Sequence, residues 1–371
     1  MYDPRLEKLS DVLIGYSIKL QKGEVVYVEA IDIPEEMVEV LVRRVYAAGG
    51  IPLVSRKSAK VQRKVLMGAD EAAMKLFGEV ELEKMKRAQA YIGMRGAYNI
   101  TETSDVPPEK MMLYREHWLS PVHMNWRIPK TRWVVLRWPT SSMAQQAEMS
   151  TEAFEDFFFN TCTLDYSRMS KAMDPLAELM MRTDKVRIMA PGTDLSFSIK
   201  GLPAIKCDGE MNIPDGEVFT APVRDSVNGV LHYNTKTLYE GKVFDNMKLR
   251  FKEGKIVEAT SSNTKAMNEI LDTDEGGRYV GEFAIGVNPF VLKPMLDTLF
   301  DEKIVGSIHF TPGNSYDQAF NGNKSKIHWD MVLIQTKEWG GGELYFDDVL
   351  IRKDGVFVLD ELKGLNPENL I

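Results

Sequence analysis

The stretch from Val25 to Ser55 constrains the fold more than any other part of the chain. Val25-Val26-Tyr27-Val28 is a short apolar run, and Asp32 and Pro34 then open a segment whose Met37, Val38, Leu41, Val42 and Val45 share one helical face. Gly49-Gly50 ends that segment, and Ile51-Pro52-Leu53-Val54-Ser55 follows at once as a second extended run. Strand, helix, strand with short connections is a βαβ unit, which places its two strands parallel with a right-handed crossover. A helix headed by Asp3 and Pro4 precedes it, with Leu6, Leu9, Val12, Leu13 and Tyr16 on one face. Another helix over about residues 71–88 leads to the strand Ala90-Tyr91-Ile92-Gly93-Met94, and Trp133 to Trp138 reads as a further strand. This order predicts a doubly wound α/β domain with a largely parallel sheet. The turn after the first strand reads Glu29-Ala30-Ile31-Asp32 and lacks the glycines that cradle a dinucleotide, so a nicotinamide cofactor is disfavoured.

From 107 to 129 a helix to about His117 gives way to an irregular segment at Ser120-Pro121, with His117 and His123 read as capping or packing residues. Ser150-Thr151-Glu152 starts a helical stretch to about Arg182, its Phe and Met residues read as core. Beyond Thr183 short alternating β runs take over, among them Leu195 to Ile199, Val218 to Val223, Ile304 to Phe310 and Lys326 to Ile334. The expectation is therefore an α/β domain over 1–183 followed by a mixed, strand-rich α+β domain over 184–371.

Composition excludes several functions. With 46 Lys plus Arg against 54 Asp plus Glu, a net charge of -8 and no basic arm, a nucleic-acid surface is not expected. No apolar run reaches membrane-spanning length and the start has no secretory core, which points to a cytoplasmic protein. Cys162 and Cys207 stand apart, so neither a disulfide framework nor a cysteine-based zinc site is expected.

The chemistry-bearing groups lie in the strand-rich half. His328 and Asp330, two apart in Ile327-His328-Trp329-Asp330-Met331-Val332-Leu333-Ile334, would emerge on one face of a strand while Ile327, Trp329 and Met331 face the other way. Taken alone, such a pair reads first as a satisfied core pair, and as two metal ligands only if a wider cluster accompanies it. Glu282 sits in Gly281-Glu282-Phe283-Ala284-Ile285-Gly286, where a carboxylate is costly to bury unless it is paired or metal-bound. Glu217 heads a strand after the loop Pro214-Asp215-Gly216, and His309 ends another. Three carboxylates and two imidazoles in one half of the chain suit a pair of divalent ions.

The pieces Asn212-Ile213-Pro214-Asp215-Gly216-Glu217-Val218-Phe219-Thr220-Ala221-Pro222, Arg224-Asp225-Ser226-Val227-Asn228-Gly229, Gly281 to Gly286, His309 with Tyr316, and His328-Trp329-Asp330 resemble the metal-site signatures of the aminopeptidase T and aminopeptidase S family. Asp3-Pro4-Arg5-Leu6 and Gly23-Glu24 extend the resemblance nearly end to end. It implies a homodimeric exopeptidase that removes N-terminal residues from peptides with two zinc, cobalt or manganese ions. It also implies Glu217, Glu282, His309, His328 and Asp330 as metal ligands, with Glu282 and Tyr316 catalytic. The segment between His309 and His328 is shorter than in better-known members, which leaves open the shape of the substrate cavity. The competing readings are a dinuclear hydrolase of another amide or ester, and a non-catalytic binding protein stabilised by metal.

Overall fold

The computed structural model describes residues 3–371, which divide into two compact units: one up to Thr163 with Gly209–Ile213, the other Leu164–Asp208 with Pro214–Ile371.

In the first unit β1 (Val25–Ile31), β2 (Ile51–Lys57), β3 (Ala90–Gly96) and β4 (Arg132–Trp138) form a parallel sheet in the order β2-β1-β3-β4, with Asn212–Ile213 paired parallel on β4. Helices α1 (Pro4–Asp11), α2 (Glu35–Ala47), α3 (Ala59–Gly68) and α4 (Glu71–Arg87) flank it. Asp3 caps α1 as expected, accepting from Arg5 N–H, and Asp70 caps α4 by accepting from Ala73 N–H. Two boundaries differ from expectation. Residues 108–130 are helical throughout, with widened turns over Arg115–Arg127 that accommodate Pro121. The stretch expected to run unbroken to Arg182 is two helices, α5 (Thr151–Cys162) in this unit and α6 (Tyr166–Arg182) in the second. The break follows from Thr163, which leaves helical backbone, and from Asp165, whose carboxylate caps α6 by accepting from Arg168 N–H at 3.0 Å.

One face of the parallel sheet is polar yet buried. Tyr91 donates to Glu29 at 2.6 Å, Tyr27 donates to Glu81 at 2.6 Å, and Lys57 reaches both carboxylates at 2.6 and 3.2 Å. Burial alone would raise the pKa of Glu29, but Lys57 and Tyr91 overcome it and hold the carboxyl at about 2. Burial lowers His123, which accepts from Arg127 Nε at 3.2 Å, to about 4.

The second unit is a two-sheet construction. An eight-stranded antiparallel sheet includes Lys185–Ala190, Thr193–Ser198, Asn228–His232 and Lys248–Lys252. Against it lies a five-stranded antiparallel sheet of β5 (Ile205–Cys207), β6 (Glu217–Thr220), β7 (Val280–Gly286), β8 (Ser307–Pro312) and β9 (Val332–Ile334), in the order β9-β8-β7-β6-β5. The sheets meet through aromatic rings: Phe197 lies 5.0 Å from both Phe283 and Phe310, and Phe251 lies 5.8 Å from Phe310. Because side chains alternate, Phe283 and Phe310 facing the sandwich core turn Glu282 and His309 to the opposite face. No helix among the described residues is long and apolar enough to cross a membrane.

The first unit carries a pH signature. His123 and Glu29 both have folded pKa values below their free values, so the unfolded chain binds more protons and stability falls on acidification. The fall is expected first between about pH 6.5 and 4 from His123, then between about 4.5 and 2 from Glu29. Thermal midpoints measured against pH are expected to show it, with His123→Gln flattening the upper part and leaving the lower.

Candidate metal centre

The centre is built on β7, the middle strand of the smaller sheet, which is buried along its whole length. Glu282, Ala284 and Gly286 share one face of it. Across the ladder Ala284 faces His309 on one side and Phe219 on the other, Gly286 faces Glu217, and Glu282 faces Thr311. Ala284 packs against Phe219 and Ala319, and Gly286 lets the backbone of Glu302 and Ile304 come close to β7. A bulge between Val280 and Glu282 inserts Gly281 as an extra residue and sets the face on which Glu282 emerges. Only glycine fits there, because a Cβ on Gly281 would stand 2.2 Å from the Asn314 carbonyl oxygen.

The structure brings Glu217, Glu282, His309, His328 and Asp330 together. His309 Nε2 lies 3.0 Å from Glu282 Oε1 and 3.5 Å from Glu217 Oε2, while His328 Nε2 lies 3.4 Å from Glu282 Oε2 and 3.2 Å from Asp330 Oδ1. Ligand atoms about 2.1 Å from one tetrahedral ion stand roughly 3.4 Å apart, so both triads have the span of a single-ion site. Two groups that could hold a cation result, Glu217-Glu282-His309 and Glu282-His328-Asp330, with Glu282 in both. Glu217 Oε2, Glu282 Oε2 and His309 Nδ1 are buried without a hydrogen-bond partner, a state that proteins avoid unless a cation or another group completes it.

Electrostatics reinforce this. Burial would raise the pKa of Glu282, but the neighbouring imidazoles of His309 and His328 bring it below the usual carboxylate value. Burial would lower both imidazoles, yet the carboxylates raise His309 and push His328 well up. Asp330, enclosed in the same way, is driven down by His328. The buried carboxylates are thus held ionised, and an enclosed anionic group favours a positive charge beside it.

Outer contacts aim the donors. His328 Nδ1 donates to the Asn314 carbonyl at 2.8 Å, which aims Nε2 at the carboxylates. Thr311 Oγ1 donates to Asp330 Oδ1 at 2.7 Å. Residues 327–331 do not form the regular strand expected: before β9 the ladder reduces to a bridge between Gly313 and His328, with backbone hydrogen bonds from Asn314 to Ile327, Trp329 to Pro312 and Phe310 to Met331. Alternation survives all the same: Ile327, Trp329 and Met331 are buried, and Trp329 stacks on Tyr239 at 4.8 Å. The short segment after His309 is pinned by two amides. Asn321 Nδ2 donates to Pro222 and Val280 carbonyls at 2.7 and 2.8 Å, and Asn323 Nδ2 to Gly276 and Gly313 at 2.9 and 2.6 Å. Tyr316 projects from this segment, 45% exposed, with its ring 4.6 Å from that of His328. Desolvation and the surrounding carboxylates raise its pKa well above the ordinary phenol value, so it remains an O–H donor.

Comparison with known proteins decides the family. Residues 2–357 match the family model described as thermophilic metalloprotease (M29). The chain belongs to that family. It is therefore a metal-dependent hydrolase of peptide bonds. Aminopeptidase PepS of Streptococcus thermophilus is 23% identical over 388 residues, covering 90% of this chain and 92% of its own. Aminopeptidase T of Thermus thermophilus is 32% identical over 191 residues, 45% of this chain and 46% of its own. The solved structure of wild-type AmpT from Thermus thermophilus superposes with a TM-score of 0.76 at 22% identity, over 96% of this chain and 99% of that one. A 2,5-dihydroxypyridine dioxygenase from Pseudomonas putida KT2440 shares the fold at a TM-score of 0.62 and 12% identity, over 98% and 99% of the two chains.

Four residues of this M29 centre were not picked out from sequence: Asp215, Glu302, Lys303 and Thr311. Asp301-Glu302-Lys303 reads as a solvated charge run, yet Lys303 is 1% exposed. Thr311 looks like an ordinary strand threonine. A signal did exist for Lys303, since it stands directly before the apolar pair Ile304-Val305.

Gly281→Ala is expected to displace the Asn314 carbonyl and loosen His328. Disturbing such outer contacts weakens metal affinity roughly 10–100-fold. Competition against a chromophoric chelator measures it, and unchanged affinity removes the role given to this glycine.

Proposed function

We propose that this chain is an aminopeptidase that uses two divalent ions, with Glu217, His309 and Glu282 holding one and Glu282, His328 and Asp330 the other. The observation that carries this reading is Glu282: a buried carboxylate whose Oε1 faces one triad and whose Oε2 faces the other. A donor set of carboxylates and imidazoles without sulfur suits zinc, cobalt or manganese. When bound, such ions supply Lewis-acid polarisation of the scissile carbonyl and lower the pKa of water toward neutrality.

The protein groups do the rest. Glu282, at the junction of the two triads, is the carboxylate placed to accept a proton from the attacking water as well as to hold metal. Tyr316 supplies a neutral phenol at the open edge, beside His328, where it donates to the oxygen that becomes negative as the peptide carbonyl turns tetrahedral. The enclosing aromatic and aliphatic side chains lower the local dielectric and strengthen both effects. The direction of attack, from a free N-terminus, rests on the names of the relatives, all of them aminopeptidases. The family resemblance of the sequence further supports a homodimer, tested by light scattering, and the reading extends to a cytoplasmic setting, tested by cell fractionation.

Chelator-stripped protein is expected to lose cleavage of amino-acid p-nitroanilides and to regain it with zinc, cobalt or manganese. N-acetylated substrates should be refused. Full activity in chelator sinks the metal mechanism, and equal cleavage of acetylated substrates sinks the aminopeptidase assignment in favour of a broader amidase. Glu282→Gln is expected to abolish turnover. Tyr316→Phe is expected to lower kcat about 10²–10³-fold with metal content unchanged, the magnitude seen when one oxyanion donor is removed.

A further inference from the structure

The described residues contain a third group with metal-site dimensions, Cys207-Asp215-Glu217, which shares Glu217 with the first triad. Cys207 on β5 pairs directly with Glu217 on β6, and Asp215 lies in the turn before β6. A cation already stands there. Lys303 Nζ is 2.6 Å from Glu217 Oε1 and 3.4 Å from Asp215 Oδ1, and its remaining contact is Glu302 Oε2 at 3.1 Å. Burial opposes the charge, but these three carboxylates outweigh it and raise the ammonium pKa well above that of a free lysine.

The backbone holds the lysine in place. Asn288, fully buried, donates its N–H to the Lys303 carbonyl at 3.0 Å and its Nδ2 to the Asp215 carbonyl at 2.7 Å, tying both partners of the ion pair to one residue. Gly286 lets this segment approach β7, because a Cβ there would stand 2.3 Å from the Ile304 carbonyl oxygen. The outcome is an asymmetry within one carboxylate: Glu217 Oε1 is taken by the ammonium, and Oε2 is left without a hydrogen bond 3.5 Å from His309 Nε2.

We propose that Lys303 is a positioning residue of the metal centre, its ammonium occupying a third cation position so that Cys207 and Asp215 stay closed to metal and Glu217 presents only Oε2 to the His309 triad. The proposal rests on the two-ion reading above, and its test separates the two. Stripped full-length protein is loaded with excess cobalt and dialysed, metal per chain is counted by mass spectrometry, and thiolate-to-cobalt charge transfer is read by absorption. Wild type is expected to hold two ions with no thiolate band, and wild type that holds none overturns the two-ion reading itself. Lys303→Ala is expected to take up a third ion, raising bound cobalt by half, and to gain a thiolate band that Cys207→Ser removes from the double variant. A merely structural lysine would change neither quantity. Folded Lys303→Ala that keeps two ions and shows no band overturns the proposal while leaving the two-ion reading intact. Should Lys303→Ala fail to fold, crystals of wild type soaked in excess cadmium decide: two anomalous peaks support the proposal, and a third beside Cys207 overturns it.

Discussion

A carboxylate in the middle of a fully buried central strand is the constraint on which the second unit depends. An ionised Glu282 in that position would cost several kcal/mol if it were left alone. What surrounds it can be understood as the answer to that cost. Two imidazoles approach its two oxygens, and the bulge at Gly281 selects the face on which it emerges. The short segment carrying Asn314 and Tyr316 is tied back by Asn321 and Asn323, so the groups nearest His328 are held by side-chain amides as well as by strand pairing.

The smaller sheet divides structural and chemical work between its faces. Phe283 and Phe310 on one face enter the aromatic contact with the larger sheet, and their strand neighbours Glu282 and His309 are thereby turned to the other. A single-residue register slip would exchange the faces, placing charge in the aromatic core and rings in the metal centre. The register is therefore enforced from both sides at once. Lys303 is part of the same enclosure, its ammonium standing between Glu217 and Asp215.

Fold and chemistry separate in the comparisons. A dioxygenase shares this architecture at a TM-score of 0.62 but only 12% identity, so the fold by itself does not name a reaction. The family match over residues 2–357, and the group of carboxylates and imidazoles in the described structure, carry the functional assignment.

Much of this was legible in the chain. The βαβ order from Val25 to Ser55 implied parallel pairing, and β1 and β2 do pair in parallel from Val25 opposite Ile51. The alternation at Ile327, Trp329 and Met331 also survived, although the segment is not a regular strand, because burial of those three side chains needs only alternating direction and not a continuous ladder. The length of α5 was misjudged because Thr163 and Asp165 end and restart a helix within an otherwise uninterrupted apolar pattern. Residue type and periodicity thus determined the classes of structure and singled out Glu217, Glu282, His309, His328 and Asp330 as unusual. Which oxygen of Glu282 meets which imidazole, and that Lys303 stands between Asp215 and Glu217, only the tertiary structure decided. Those contacts join residues up to about 88 positions apart on strands and turns whose relative placement is set by sheet register and loop closure, and local sequence pattern carries no information about either.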